Sequence, residues 1–191
     1  MNSEPAPFSL HATDGRRKYA TPGERVRFIA TATAWPDQDI GTLCLLIAYA
    51  GCRISEAIGI TRLNIDVTRT CITIRCLKKR GRVVFRDVPL PDDLMARIAA
   101  MVPEDDGRLW PISRTTAWRK VKAAMAAAEI ASGPHCCPKG LRHGFGIHAI
   151  RCSVPLNLVQ RWLGHARLST TAIYAQALDD EEREIAARMW T

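Results

Sequence analysis

Only one stretch of this chain alternates like a β-strand, and it turns straight back on itself. Cys71-Ile-Thr-Ile-Arg75 carries β-branched residues at alternate positions, and Lys78 to Arg82 forms a basic turn around Gly81. Val83-Val84-Phe85 and Val88 then return, and Pro89 ends the pairing. The remaining patterned segments are helical, so the chain has to bury a helical core against one small antiparallel sheet. The fold class expected is α+β, mainly α. An apolar helix runs from Ile40 to a C-capping Gly51, and a second begins near Arg53 with Ile54, Ala57 and Ile58 on one face. Later helices run from Pro91-Asp-Asp to about Val102, from an N-capping Ser113 to Ala128, and from Pro138 to Ile150. Three more run from Pro155 to Leu163 before Gly164, from Thr170 to Leu178, and from Asp179 to about Met189.

At 191 residues and 47% hydrophobic content, one domain with a full core is expected. The longest apolar run, Leu43 to Ala50, is too short to span a bilayer, and the start, Met1-Asn-Ser-Glu-Pro-Ala-Pro, lacks a signal-peptide core. Seven scattered cysteines do not form a disulfide framework, so the expected compartment is the reducing cytoplasm. Adjacent Cys136 and Cys137 beside His135 lack a second ligand pair at zinc spacing, so no metal is expected. The net charge of +8 favours a polyanion without choosing between nucleic acid and an acidic membrane. Its distribution is uneven, with seven basic residues and no acid between Arg69 and Arg86. By itself that run also fits a solvated hairpin face.

Arg53, Lys139, Arg142, His165 and Tyr174, with a lysine from the hairpin, form a set suited to a phosphodiester. Guanidinium forks onto two non-bridging oxygens, and two of them would neutralise charge that builds during in-line displacement. A phenol with a free pKa near 10 is a poor nucleophile and needs such an electropositive pocket. Its attack gives a phosphotyrosyl ester that conserves the bond energy, so neither ATP nor a metal cofactor is required. A lysine on a mobile basic turn could protonate the leaving sugar oxygen. Each residue has a plainer role. Arg53 could simply pair with Glu56, Lys139 and Arg142 could open a solvated basic helix, His165 could cap a helix, and Tyr174 could be core.

Order and spacing decide between these roles. Arg53-Ile-Ser-Glu56, a basic hairpin, Leu141-Arg-His-Gly-Phe145, Leu163-Gly-His165 and a tyrosine nine residues after that histidine occur in succession. Over residues 40–178 the chain resembles the tyrosine recombinase (phage integrase) family. The resemblance implies the integrase-like, DNA breaking-rejoining catalytic fold and site-specific recombination through a 3′-phosphotyrosine. By position it makes Arg53 and Arg142 the two catalytic arginines, Tyr174 the nucleophile, and His165 a hydrogen-bond donor to the scissile phosphate. Glu56 becomes a supporting acid beside Arg53. The hairpin lysine becomes Lys78, preferred over Lys79 because it follows the strand end directly. The family's usual His-x-x-Arg is Lys139-Gly-Leu-Arg142 here, which keeps a donor to phosphate but puts a general-base role in doubt.

The partner implied is double-stranded DNA, held in a synaptic homotetramer with accessory DNA-bending proteins and no membrane. Arg80 and Arg82 on the turn, and Arg114, Arg119 and Lys120 on one helix, are the expected DNA contacts. Residues 1–38 read as a tail with one short helix, and 39–191 as the catalytic domain. Thirty-eight residues are too few for the family's helical clamp domain, so the chain resembles either single-domain members such as the fimbrial phase-variation invertases or a catalytic domain excised from a longer protein. Helix 179–190 is expected to dock either on its own domain or on a neighbouring protomer. Two rivals share the constellation: a type IB topoisomerase-like nicking and resealing enzyme, and a catalytically silent DNA-binding regulator.

Overall fold

The computed structural model describes residues 9–76, 84–103 and 107–175. Among the described residues, eight α-helices, one short 3₁₀ turn (Arg62–Asn64, between α3 and β1) and three strands occur: α1 (Pro22–Thr33), α2 (Gln38–Ala50), α3 (Ile54–Ala57), β1 (Ile65–Asp66), β2 (Cys71–Cys76), β3 (Val84–Pro89), α4 (Asp92–Ala100), α5 (Arg114–Ala127), α6 (Pro138–Arg151), α7 (Leu156–Leu163) and α8 (Ser169–Ala172). Among the described residues no helix is long and apolar enough to cross a membrane.

Helix α2 is the hub. It is apolar around most of its circumference, with ten residues buried from Ile40 to Ala50, and an all-round apolar helix must be enclosed by others. Helices α1, α4, α5 and α6 enclose it. Asp37 caps its start by accepting from the Ile40 amide, and Gly51 ends it in the left-handed region at φ 57°. The segment before residue 39 does carry one helix, and it is part of this core. Phe28 and Ala32 of α1 are fully buried, and α1 is closed by a capping box in which Thr21 and Glu24 satisfy each other's backbone amides.

The sheet is antiparallel in the order β1-β2-β3, with Cys71 opposite Pro89 and Cys76 opposite Val84. The hairpin has the boundaries its alternation predicts, whereas β1 is a two-residue addition too short to leave a periodic signal. Alternation also sorts the return strand. Arg86 and Val88 face inward and are buried, while Phe85 is 54% exposed. The basic stretch is therefore not a uniformly solvated face, because its last member is an inward position.

The other helices begin and end close to their predicted caps. One differs materially: α8 spans only four residues and stops at Ala172, so Tyr174 sits in the turn after it rather than within a helix reaching Leu178. The Tyr174 amide donates to the Thr171 carbonyl, a tightened last turn. Residues 176–178 and the expected helix 179–190 lie outside the described residues.

Candidate active site

Arg142, near the start of α6, joins the C-terminal ends of α2 and α7. Pro138 opens α6 and puts Arg142 just over one turn in, where the side chain is buried. One of its terminal nitrogens donates to the Gly51 carbonyl at 2.7 Å and the other to the Leu163 carbonyl at 2.5 Å. These carbonyls end α2 and α7, where backbone acceptors are orphaned and the helix dipoles are negative. Burial, and next the Arg53 charge, pull the Arg142 guanidinium down to about 10, which leaves it protonated at neutral pH.

Arg53 stands at the N-cap of α3 and donates to Glu56 Oε1 at 2.7 Å. The ion pair expected from sequence is therefore present, and it does not consume the residue, whose side chain stays 28% exposed. Glu56 is fully enclosed and carries a second cation: Arg86 donates to its other oxygen at 2.7 Å. Burial alone would raise the Glu56 carboxyl, but the hydrogen bonds and charges of Arg86 and Arg53 together outweigh it and hold the group below its ordinary value.

Gly164, left-handed at φ 65°, turns the chain from α7 to His165. His165 Nδ1 lies 2.9 Å from the Thr171 hydroxyl, and its ring stacks on Tyr174 with centroids 6.1 Å apart. Burial and the flanking Arg142 and Arg53 charges press His165 down to about 3, so it is neutral at physiological pH. Tyr174 is buried, at 1% exposure. Its ring lies over Gly146 of α6, where an added Cβ would come within 2.6 Å of Cε2. The phenol oxygen is 3.0 Å from His143 Nδ1. Burial pushes the phenol up to about 12, although Arg142 and Arg53 pull the other way. His143 is itself pressed down to about 4, by burial first and then by the charges of Lys139, Arg142 and Lys18. The site thus holds two guanidiniums and two neutral imidazoles around one enclosed phenol, a set able to bind phosphate oxygens and to present an oxygen nucleophile.

Of the residues singled out from sequence, Arg53, Glu56, Arg142, His165 and Tyr174 converge here. Lys139 is exposed at the second position of α6, and its charge reaches His143. Lys78, Lys79, Arg80 and Arg82 lie outside the described residues. On α5, Arg114 and Arg119 are exposed, and Lys120 pairs with Asp37 at 3.1 Å on the surface. Three contributors were missed: His143, Thr171 and Arg86. The alternation of β3 could have flagged Arg86 as inward. His143 and Gly146, three residues apart on one helix face, form a notch with a polar rim that helical spacing also exposes.

The sequence profile of the phage integrase family matches residues 24–181. A tyrosine recombinase of Thermosipho africanus is 30% identical over 148 residues, covering 74% of this chain and 50% of its own length. The tyrosine recombinase XerD of Neisseria meningitidis is 32% identical over 167 residues, covering 76% of this chain and 55% of its own. The chain thus spans about half the length of the curated relatives it matches. Among solved structures, the XerA recombinase superposes with a TM-score of 0.71 at 23% identity, over 90% of this chain and 64% of that one. The catalytic domain of bacteriophage HP1 integrase superposes with a TM-score of 0.68 at 23% identity, over 89% and 93%. Both share the fold described above.

Proposed function

This chain belongs to the phage integrase family, and we propose that it breaks and rejoins double-stranded DNA at specific sites through a covalent 3′-phosphotyrosine on Tyr174. The observation that carries this reading is the convergence of Arg53, Arg142 and His165 on the phenol in one buried site. Arg53 and Arg142 would hold the non-bridging oxygens, and His165, neutral and fixed by Thr171 through Nδ1, would present Nε2–H to the same phosphate. As the phenol oxygen bonds to phosphorus its proton passes to the neutral imidazole of His143, whose Nδ1 lies 3.0 Å away, and the bond from phosphorus to the 5′ oxygen breaks. That oxygen takes a proton from the hairpin lysine, Lys78 in our assignment. Attack by a 5′-hydroxyl reverses the step and frees Tyr174.

Tyr174 is enclosed, so DNA binding has to uncover it before it can reach a phosphorus. Strand exchange between two duplexes would need several copies, and we assign a homotetramer assembled on DNA, with residues 179–190 as the docking segment and accessory DNA-bending proteins as possible helpers. Residues 39–191, with α1 packed on them, form the catalytic unit in this assignment. The test is incubation with a pool of nicked duplexes randomised around the break, without metal or ATP, followed by a denaturing gel. Wild type is expected to form a protein–DNA adduct and Tyr174→Phe none. Binding without an adduct in either would refute the proposal.

A further inference from the structure

We propose that Arg86, a strand residue in the basic stretch, is a positioning residue that sets Arg53 and the turn before His165 for strand cleavage; the inference rests on the recombinase reading above. Its side chain is 2% exposed, so it cannot serve as a surface phosphate contact. Each of its three nitrogens donates to a different element. One terminal nitrogen binds Glu56 Oε2 at 2.7 Å, Nε binds the Trp162 carbonyl at 2.6 Å, and the other terminal nitrogen meets Cys76 Sγ at 3.1 Å. The same Glu56 carboxylate holds Arg53 twice, taking its side chain at 2.7 Å and its backbone amide at 2.9 Å. Trp162 immediately precedes Leu163, whose carbonyl receives Arg142. Gly164 then leaves room for the guanidinium, since a Cβ there would lie 3.0 Å from an Arg86 nitrogen and 3.1 Å from Cys76 Sγ.

One buried cation therefore ties the sheet to Arg53 through Glu56, and to the α7 end that seats Arg142 and leads to His165. The planar fork matters as well as the charge. A lysine offers a single point of attachment and can satisfy Glu56 or the Trp162 carbonyl, but not both in this geometry. Losing one anchor lets the two arginines drift relative to each other, and small misplacements at a reacting phosphate cost rate more than affinity.

The experiment compares wild type, Arg86→Lys and the paired variant Glu56→Gln/Arg86→Met, which removes both buried charges together and so folds without stranding either. The probe is the nicked duplex recovered from the randomised pool, used at saturation for adduct rate and by titration for affinity. A second duplex replaces a non-bridging oxygen of the scissile phosphate with an uncharged methyl group. The adduct rate of Arg86→Lys is expected to fall about 10- to 100-fold at saturation, with affinity within about twofold of wild type. The paired variant should show the same loss. Both deficits should shrink on the methylphosphonate duplex, which relieves the need for exact charge placement. A fall in affinity with the saturating rate unchanged would make Arg86 a DNA contact and overturn the proposal. Wild-type rates in both variants, or losses equal on the two duplexes, would overturn it too. Absence of any adduct from wild type would bring down the recombinase reading and this inference with it.

Discussion

His143 should make the fold acid-sensitive by a calculable amount. Its half-buried ring packs against Tyr174, and desolvation together with the charges of Lys139, Arg142 and Lys18 lowers it from the ordinary 6.5 to about 4. Between those values the unfolded chain binds a proton at this residue and the folded chain does not. Stability attributable to His143 is therefore complete above pH 6.5, falls as the pH drops, and is wholly lost below about 4. At about pH 4.5 the two titrations differ by roughly 2 pH units, or about 2.5 kcal/mol. The assay is urea unfolding at neutral pH and at about pH 4.5, for wild type and His143→Asn. The variant lowers stability at both pH values, because Tyr174 loses its partner, so the pH dependence is the informative quantity. His165 contributes in the same direction in both proteins and cancels in the difference. Wild type should lose about 2.5 kcal/mol more than the variant on acidification. Equal losses would refute the burial argument for His143 and, with it, the neutral ring drawn against the Tyr174 hydroxyl.

Other consequences are simpler. Glu56→Ala strands Arg86 as a buried, uncompensated cation, and the urea midpoint should report a loss of about 3–5 kcal/mol. Gly146→Ala drives a methyl into the Tyr174 ring and should cost about 1–3 kcal/mol, most of it recovered in a Tyr174→Ala background, where the space is empty. Arg114→Ala/Arg119→Ala removes two exposed cations from α5, so the salt dependence of duplex binding should flatten by about two units of log–log slope while the saturating adduct rate holds.

Much of this architecture is legible before folding, because it rests on local rules. Gly51 and Gly164 end helices as left-handed caps, Ser113 and Pro138 begin them, and the alternation across 71–88 places the hairpin. Arg53, Arg142, His165 and Tyr174 stand out in the sequence through their order and spacing and the family resemblance these carry, whereas what holds them does not. Arg142 is seated by the carbonyl ends of two helices more than 100 residues apart in sequence, and no side-chain pattern encodes a backbone acceptor. Arg86 was hidden by composition: one arginine among several reads as a solvated charge unless strand alternation is followed through to its inward face. The turn at Tyr174 is not legible in the same way, because the alanines and threonines of 169–175 suit a continuing helix, whereas burial of the phenol against Gly146 favours a tighter end at Ala172.

The claim that Tyr174 carries DNA can be read directly from the adduct. Nuclease and protease digestion followed by mass spectrometry locates the modified peptide, and the chain has only three tyrosines: Tyr19, Tyr49 and Tyr174. The account predicts a nucleotide joined through its 3′-phosphate to Tyr174 alone, with a free 5′-hydroxyl on the released strand. A nucleotide on Tyr19, Tyr49 or a non-tyrosine residue, or a linkage through a 5′-phosphate, would contradict it.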